Sequence, residues 1–210
     1  MTISETIGKI GGCIFGYSFR RALKAIHIQA SLAAYNNYLN RKASHYGNNC
    51  RIYFPQSLRG CQYMSIGDNF KLGEGSILEA WDEHNGVKFS PRIRIGNDVS
   101  FGRLCHIGCI NSISIGNGVL GGANILIVDH SHGNTKFPEL EKKPNDRTLF
   151  SSGGIIIEDN VWLGDRVIVL PGVTIGENAI IGAGSVVTRS IPSGCVACGV
   201  PAKPVKYLVE

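Results

Sequence analysis

The stretch IEDNVW LGDRVI VLPGVT IGENAI IGAGSV VTRSIP, residues 157–192, divides into six consecutive units of six residues. The first position of every unit is aliphatic, the fifth is small or β-branched, and glycine holds the second position in three units. An amphipathic helix repeats at about 3.6 residues and a half-buried strand at about two, so neither produces this spacing. A period of six predicts a short strand followed by a turn.

The same pattern continues upstream of residue 157. Units begin at Ile66, Leu72, Ile95, Phe101, Ile107, Ile115, Gly121 and Ile127, with a two-residue shift after the Ile107 unit. Three units would form one coil of a three-sided prism, and stacked coils would bury a continuous core. Gly, Asn and Asp suit the corners, where positive φ is often required. The sequence predicts an all-β parallel β-helix; an antiparallel sandwich would alternate and be irregularly spaced.

Three parts of the chain lack the six-residue pattern. Residues 1–50 show apolar residues at helical spacing and are predicted to form an N-terminal helical extension. The β-helix is assigned to residues 51–192, interrupted by a polar loop at 129–154, and residues 193–210 form a tail over the last coil. A connection as long as this loop is uncommon inside a compact repeat and is often functional.

Composition excludes several classes of protein. The net charge is +5 without a long Lys/Arg run, which argues against a nucleic-acid partner. Seven irregularly spaced cysteines indicate neither a disulfide framework nor a metal site, so no metal is expected. No apolar stretch is long enough to cross a bilayer. A cytoplasmic protein is expected, and the N-terminal helix could pack on the first coil or contact a membrane surface.

The polar loop begins with Asp129-His130-Ser131-His132, which makes the two histidines candidates for chemistry. An imidazole can remove a proton near neutral pH, and a hydroxyl needs such a base to become a good nucleophile. No Gly-x-Ser-x-Gly elbow is present, so direct transfer to the hydroxyl is favoured over an acyl-enzyme. Metal binding and ordinary exposed loop histidines remain alternatives for His130 and His132.

Basic residues gather where the last regular unit ends. Thr188 and Arg189 stand at the end of the last regular coil, and Lys203 and Lys206 follow in the tail. These groups could bind the phosphates of a coenzyme or form a solvated basic end of the molecule, and the sequence leaves both readings open.

The stretch VWLGDRVIVLPGVTIGENAIIGAGSVVTRSIPSGCVACGVPAKPVK resembles the C-terminal half of the hexapeptide-repeat acetyltransferases. The segment IGNGVLGGANILIVDHSHG is most similar to the enzymes that O-acetylate bacterial surface polysaccharides. This resemblance covers about residues 60–208 and implies a left-handed prism, acetyl-CoA as acyl donor, a homotrimer, and a sugar or glycan as acceptor.

The resemblance also implies roles for individual residues. His130 corresponds to the catalytic base, and His132 and Asn124 are candidates for contact with the acceptor. Galactoside-type enzymes have an asparagine on an earlier coil where this sequence has Gly102, which argues against galactoside or maltose as substrate. The residues implied to bind acetyl-CoA are Trp162, Gly164, Asp165, Ala183, Thr188, Arg189, Lys203 and Lys206.

The leading functional hypothesis is therefore an O-acetyltransferase acting on a sugar hydroxyl of a bacterial surface glycan or its precursor. N-acetylation of a nucleotide-linked amino sugar on the same scaffold is an alternative, because an amine acceptor is also helped by a base. A β-helix that assembles or binds without catalysis is the third hypothesis.

Overall fold

The computed structural model describes residues 3–134 and 136–208, and the side chains of residues 19 and 21–134 within the first range. Within these residues the strands stack into three long sheets, which form the sides of a prism. Sheet A contains His45–Tyr46, Met64–Ile66, Arg92–Ile95, Ser112–Ile115, Ile155–Ile157 and Thr174–Ile175. Sheet B contains Arg51–Ile52, Lys71–Leu72, Ser100–Phe101, Leu120–Gly121, Trp162–Leu163, Ile180–Ile181, Cys195–Gly199 and Ala202–Tyr207. Sheet C contains Ser57–Arg59, Ile77–Ala80, His106–Cys109, Leu126–Val128, Ile168–Val169 and Val186–Val187.

Neighbouring strands in sheets A and C are parallel and come from successive coils, as a β-helix requires. The first and fifth residues of each unit point inward and are buried, from Ile157 and Val161 to Val187 and Ile191. A single apolar core runs through all coils, since the buried residues form one continuous cluster. The three-sided parallel β-helix predicted from the six-residue spacing is confirmed.

Two of the three prism edges turn in a regular way. At the edge between sheets A and B, and at the edge between sheets B and C, the four-residue turns place one residue at positive φ. Asn and Gly fill many of these positions. Gly adopts the left-handed conformation because it has no Cβ, and Asn tolerates it because its short polar side chain can hydrogen-bond locally. Asn69, Asn160 and Asn178 serve the AB edge, and Gly75, Asn124 and Gly184 serve the BC edge.

The third edge, between sheets C and A, is irregular. One coil leaves it as a small antiparallel hairpin, Glu83–His84 with Val87–Lys88. Another leaves it as the polar loop, which returns through the pair Ser131–His132 and Leu149–Phe150 and carries 3-10 turns at Glu139–Glu141 and Pro144–Asp146. A third 3-10 turn, Cys61–Tyr63, lies on the first coil. The loop predicted to extrude from the prism is thus present at this edge.

The predicted N-terminal helical segment is also present and spans Ile3–Lys42. Its last part packs on the first coil through buried Leu32 and Leu39, and the Asn36 side-chain amide donates to the carbonyl of Cys50 at 3.0 Å. Phe19, Leu23 and Ile26, further toward the N-terminus, are exposed. Among the described residues no helix is both long and apolar enough to cross a membrane.

The opposite end of the prism is closed by a strand pair. Cys195–Gly199 adds to sheet B in parallel, and Ala202–Tyr207 then pairs with it in the antiparallel direction. The Ser185 hydroxyl accepts a hydrogen bond from the Gly199 amide at 3.1 Å, which connects the end of the first of these strands to the last regular coil.

Candidate active site

The first candidate residue, His130, lies where sheet C ends and the polar loop begins. Side chains alternate along the preceding strand, so Val128 and His130 point outward while Ile127 and Asp129 point inward. His130 is 14% exposed, and Asp129 is fully buried. The strand therefore presents the imidazole at the surface and puts a carboxyl group directly behind it.

Asp129 organises this edge of the prism through four hydrogen bonds. Its Oδ1 accepts from the Ile110 amide at 2.9 Å, and its Oδ2 accepts from the Asn111 amide at 2.9 Å and the Ser112 amide at 2.8 Å. Its Oδ1 also lies 3.1 Å from His130 Nδ1. Because a carboxylate only accepts, Nδ1 carries the proton in this contact and Nε2 remains free to accept one.

Asp129 is a residue that sequence reasoning did not assign. The alternation of inward and outward side chains along this strand could have pointed to it. A charged residue at an inward position must find buried hydrogen-bond donors. The partner that orients His130 was therefore one residue away in the sequence, although only the path of the neighbouring coil supplies the three amides.

His132 lies on the first strand of the loop, opposite Leu149. Its ring stacks edge-to-face on His84 of the small hairpin, with 5.6 Å between ring centroids, and the Asn85 amide donates to the carbonyl of Asn145 at 2.9 Å. The hairpin and the polar loop therefore support each other. His84, which the sequence did not connect to any other residue, links them, and its buried Nε2 has no hydrogen-bond partner among the described residues.

His106 is the second imidazole on the outer face of sheet C. Burial lowers its pKa; the charge of Glu79 acts in the opposite direction, and that of His130 adds to the lowering. The contribution of His130 places it within electrostatic range of His106. The His106 ring extends over Gly108, where a Cβ atom would lie 3.1 Å from its Nε2.

Four residues predicted to bind acetyl-CoA lie on sheet B and at the BC edge. Trp162 is half exposed on the outer face of its strand. Gly164 lies directly below the Ala183 backbone, since a Cβ atom on Gly164 would be 2.6 Å from the Ala183 nitrogen. Asp165 Oδ1 accepts from the Ala123 amide at 2.7 Å, so this exposed carboxylate joins two coils.

The other four lie elsewhere. Thr188 and Arg189 are exposed at the CA edge, two strands beyond the one that leads to His130, or about 10 Å along the prism. Lys203 and Lys206 are exposed on the last strand of sheet B. Ala183 and Thr188 are five residues apart, at most about 16 Å, and the chain between them includes the turn at Gly184. A single chain therefore places the predicted residues on sheet B, at the BC edge and at the CA edge.

Asn124, a candidate for acceptor contact, is exposed at the BC edge with φ of 57°. Asn124 precedes the sheet C strand Leu126–Val128, and His130 follows it. The two side chains therefore lie at opposite ends of one face of the prism. No group of three or more His, Cys, Asp or Glu side chains in the described part of the chain is arranged to hold a metal ion.

Comparison with known proteins places this geometry in a family. The family model for bacterial transferase hexapeptide (six repeats) matches residues 154–189. The Escherichia coli (strain K12) protein WbbJ, named as a lipopolysaccharide biosynthesis O-acetyl transferase, is 38% identical over 162 residues, covering 75% of this chain and 79% of WbbJ. The galactoside O-acetyltransferase of Lactococcus lactis (strain IL1403) is 47% identical over 89 residues, 42% of this chain and 40% of that enzyme.

A solved structure supports the fold independently. A variant of AntD, an N-acyltransferase from Bacillus cereus, was crystallised with dTDP-4-amino-4,6-dideoxyglucose and coenzyme A. It superimposes with a TM-score of 0.67 at 18% identity, over 83% of this chain and 89% of that one. The predicted left-handed winding of the prism follows from membership in this group of folds. The chain belongs to the hexapeptide-repeat transferases and is an acetyltransferase of that family.

Proposed function

We propose that the protein transfers the acetyl group of acetyl-CoA to a hydroxyl of a sugar in a bacterial surface glycan or its precursor. The observation that carries this proposal is the pair formed by buried Asp129 and outward-facing His130, joined at 3.1 Å at the edge of the prism. The similarity to WbbJ over most of both chains favours a surface glycan as the acceptor.

His130 is the general base in this proposal. Asp129 holds the proton on Nδ1, so Nε2 accepts the proton of the sugar hydroxyl as its oxygen attacks the thioester carbonyl. The tetrahedral intermediate collapses by breaking the carbon–sulfur bond, and the protonated imidazole returns the proton to the leaving thiolate. The products are an acetyl ester and coenzyme A, and the enzyme ends in its starting protonation state.

Two groups of residues are proposed to bind acetyl-CoA. Trp162, Gly164, Asp165 and Ala183 would bind its pantetheine arm, and Thr188, Arg189, Lys203 and Lys206 would bind its phosphates. The half-exposed Trp162 and the exposed residue Ala183 support the first assignment. The exposed cationic side chains of Arg189, Lys203 and Lys206 support the second, because they can form charge-assisted hydrogen bonds with phosphate oxygens.

A homotrimer completes this proposal. The residues assigned to acetyl-CoA lie on sheet B, at the BC edge and at the CA edge of one chain, so one prism alone does not gather them around a thioester. Packing the BC edge of one copy beside the CA edge of the next would do so. The same packing would bring Asn124 of the partner subunit toward His130, where Asn124 and His132 are proposed to contact the acceptor sugar.

We also propose that the enzyme is cytoplasmic and touches the membrane surface through the N-terminal helix. Phe19, Leu23 and Ile26 are exposed on one side of this helix, and Lys24 is close by. Residues 6–67 contain eight Lys and Arg and no Asp or Glu. This charge favours an anionic bilayer over a second copy of the same helix, which would bring like charges together.

Vesicle co-sedimentation tests the membrane contact. Binding is expected to vesicles rich in phosphatidylglycerol and not to pure phosphatidylcholine, and Leu23→Gln with Ile26→Gln should reduce it. Equal binding of the original and the doubly substituted protein would contradict the contact.

Replacement of His130 by Ala tests the catalytic proposal. Thiol release from acetyl-CoA in the presence of acceptors should fall about 10²–10⁴-fold, the usual contribution of a general base, with the fold intact by circular dichroism. Unchanged turnover would remove His130 from the mechanism, and absence of turnover in the original protein with any surface-glycan precursor would favour a non-catalytic prism.

The product separates O-acetylation from the alternative, N-acetylation of a nucleotide-linked amino sugar. A radiolabelled acetyl group that is released by mild alkali is an ester and supports the proposal. An alkali-stable label is an amide and supports the alternative, which the fold also accommodates, because the N-acyltransferase AntD shares it.

A further inference from the structure

A row of outward side chains leads from His130 along sheet C toward the first coil. The strands are in strict register, so one outward column contains Arg59, Glu79, Gly108 and Val128. His130 lies two residues after Val128, on the same side of the strand. Three strand spacings separate the first and last members, about 14 Å. Gly108 has no side chain, and the His106 ring extends over it, so an imidazole forms the surface in the middle of this row.

The far end of the row is built around an indole ring. The Trp81 Nε1 donates to Glu79 Oε2 at 2.9 Å, and the Ser57 hydroxyl donates to Glu79 Oε1. Both oxygens of this carboxylate are therefore used in fixing Trp81 and Ser57. The Arg59 guanidinium carbon lies 3.6 Å from the Trp81 ring centroid, so the guanidinium stacks on a held platform.

Arg59 has unused hydrogen-bonding capacity. Its recorded polar contact is a long bond of 3.4 Å to the carbonyl of Glu83, and no carboxylate in the described residues forms an ion pair with it. A guanidinium has five N–H groups and binds two oxygens at once. Glu79 is the register neighbour of Arg59 on the next strand, but both of its carboxylate oxygens are hydrogen-bonded to Trp81 and Ser57.

We infer that the acceptor is a sugar joined to a diphosphate, and that Arg59, stacked on Trp81, binds the diphosphate while the sugar lies along the row to His130. This inference rests on the proposed acetyl transfer at His130. A fixed, planar cation that pairs with two oxygens suits phosphate. The distance of about 14 Å to the His130 strand leaves room for one or two sugar rings.

Calorimetric binding of diphosphate probes tests the inference. Uridine diphosphate, farnesyl diphosphate and inorganic pyrophosphate are titrated into the full-length protein, into Arg59→Gln, and into Arg59→Lys. Arg51→Gln is the matched control, because Arg51 is an exposed arginine of the same first coil but lies on sheet B. Thermal midpoints establish that each variant is folded.

The original protein and Arg51→Gln should bind at least one probe equally well. Arg59→Gln should bind it about 10- to 100-fold more weakly, since hydrogen bonds to a charged partner are among the strongest. Arg59→Lys should also be weaker, because an ammonium cannot form the two parallel bonds. Unchanged binding in both Arg59 variants, equal losses in Arg51→Gln, or no binding of any probe would overturn the inference.

The probes also separate two sources of the same group. Tighter binding of uridine diphosphate indicates a nucleotide-linked sugar, and tighter binding of farnesyl diphosphate indicates a lipid-linked one. Because binding is measured without acetyl-CoA, His130→Ala should bind the probes normally. If the protein transfers acetyl groups but its probe binding does not depend on Arg59, the diphosphate site is wrong and the proposed function stands. If it binds the probes through Arg59 but transfers no acetyl group, the proposed function is wrong and the diphosphate site stands.

Discussion

The AB and CA edges of the prism differ in what holds their turns. At the AB edge each turn repeats the previous one, and side-chain oxygens of one coil accept hydrogen bonds from backbone amides of the preceding coil. Asn117 Oδ1 accepts from the Asn97 amide at 2.9 Å, and Asp159 Oδ1 accepts from the Asn117 amide at 2.7 Å. At the CA edge a single buried carboxylate, Asp129, accepts three amides and a histidine. Repetition makes one edge robust, whereas the other depends on one residue.

The largest effect is expected from Asp129→Asn, which breaks the CA edge. The amide nitrogen cannot accept, so at least one buried N–H loses its partner and His130 loses its orienting carboxylate. Stability should fall by about 3 kcal/mol and turnover by about 100-fold. Urea unfolding and initial rates of thiol release measure the two effects.

Asp165→Asn is the matched control at the regular BC edge. Its carboxylate is exposed and accepts one amide, which an Asn oxygen can also accept, so stability should change by less than about 0.5 kcal/mol. If the Asp129 and Asp165 variants lose equal stability, the claim that the CA edge depends on a single carboxylate more than the regular edges do is wrong.

A smaller effect is expected from Gly164→Ala at the BC edge. The added Cβ would lie 2.6 Å from the Ala183 backbone nitrogen, and a backbone of the next coil cannot move away as a flexible side chain can. We expect a loss of about 2 kcal/mol in urea unfolding. Gly184→Ala measures the cost of the backbone conformation without a steric clash. No atom lies within 4 Å of the position of its Cβ, but its φ is 72°. Equal losses in both variants would show that crowding is not the cause.

At the AB edge Asn178 isolates the contribution of the turn conformation. Its φ is 59° and its side chain is exposed. Asn178→Ala should lose about 1 kcal/mol because Ala keeps the Cβ but lacks the short polar side chain that helps Asn adopt this conformation, whereas Asn178→Gly, without a Cβ, should match or exceed the original stability. A thermal midpoint that falls more for Gly than for Ala would contradict this account.

The smallest effect is expected in the pH dependence of stability, through His106 on sheet C. Burial lowers the pKa of His106 below its ordinary value of 6.5, despite the nearby Glu79. The unfolded chain therefore takes up this proton at a higher pH than the folded chain does. The stability that depends on neutral His106 is present above pH 6.5 and is lost as the pH falls through the lowered value.

His106→Gln should remove this part of the pH dependence. Urea unfolding at pH 7.5 and at several lower pH values, compared between the original protein and the variant, gives the difference in slope. A variant that loses stability on acidification as steeply as the original would show that other groups cause the loss.

The sequence predicted the regular parts of this molecule well because each six-residue unit contains the residue types that define its strand, its core positions and its turn. An aliphatic lead residue such as Ile175, a small fifth residue such as Ala179, and a corner Asn such as Asn178 repeat at a fixed period. A repeat fold places each residue against its equivalent on the next coil, so local spacing is sufficient to assign the wall, the core and the corners.

The sequence predicted where one site residue lies. It put His130 at the start of the loop, and the structure places this side chain outward at the CA edge, while its role as the base stays a prediction. Its link to Asp129 was not identified, nor was the link between His84 and His132, because these contacts depend on how two insertions leave the same edge. Whether Trp162 and Lys203 bind acetyl-CoA stays a prediction.

By itself the sequence determined the parallel β-helix, its hydrophobic core and the place where the loop interrupts it, since six-residue periodicity is a property of the chain alone. Tertiary structure decided which side chains meet at the CA edge: the Asp129 carboxylate with three amides of the coil below, and Arg59 with Trp81. The physical reason is that these partners are 17 to 22 residues apart in sequence, and only the stacking of coils brings them within contact distance.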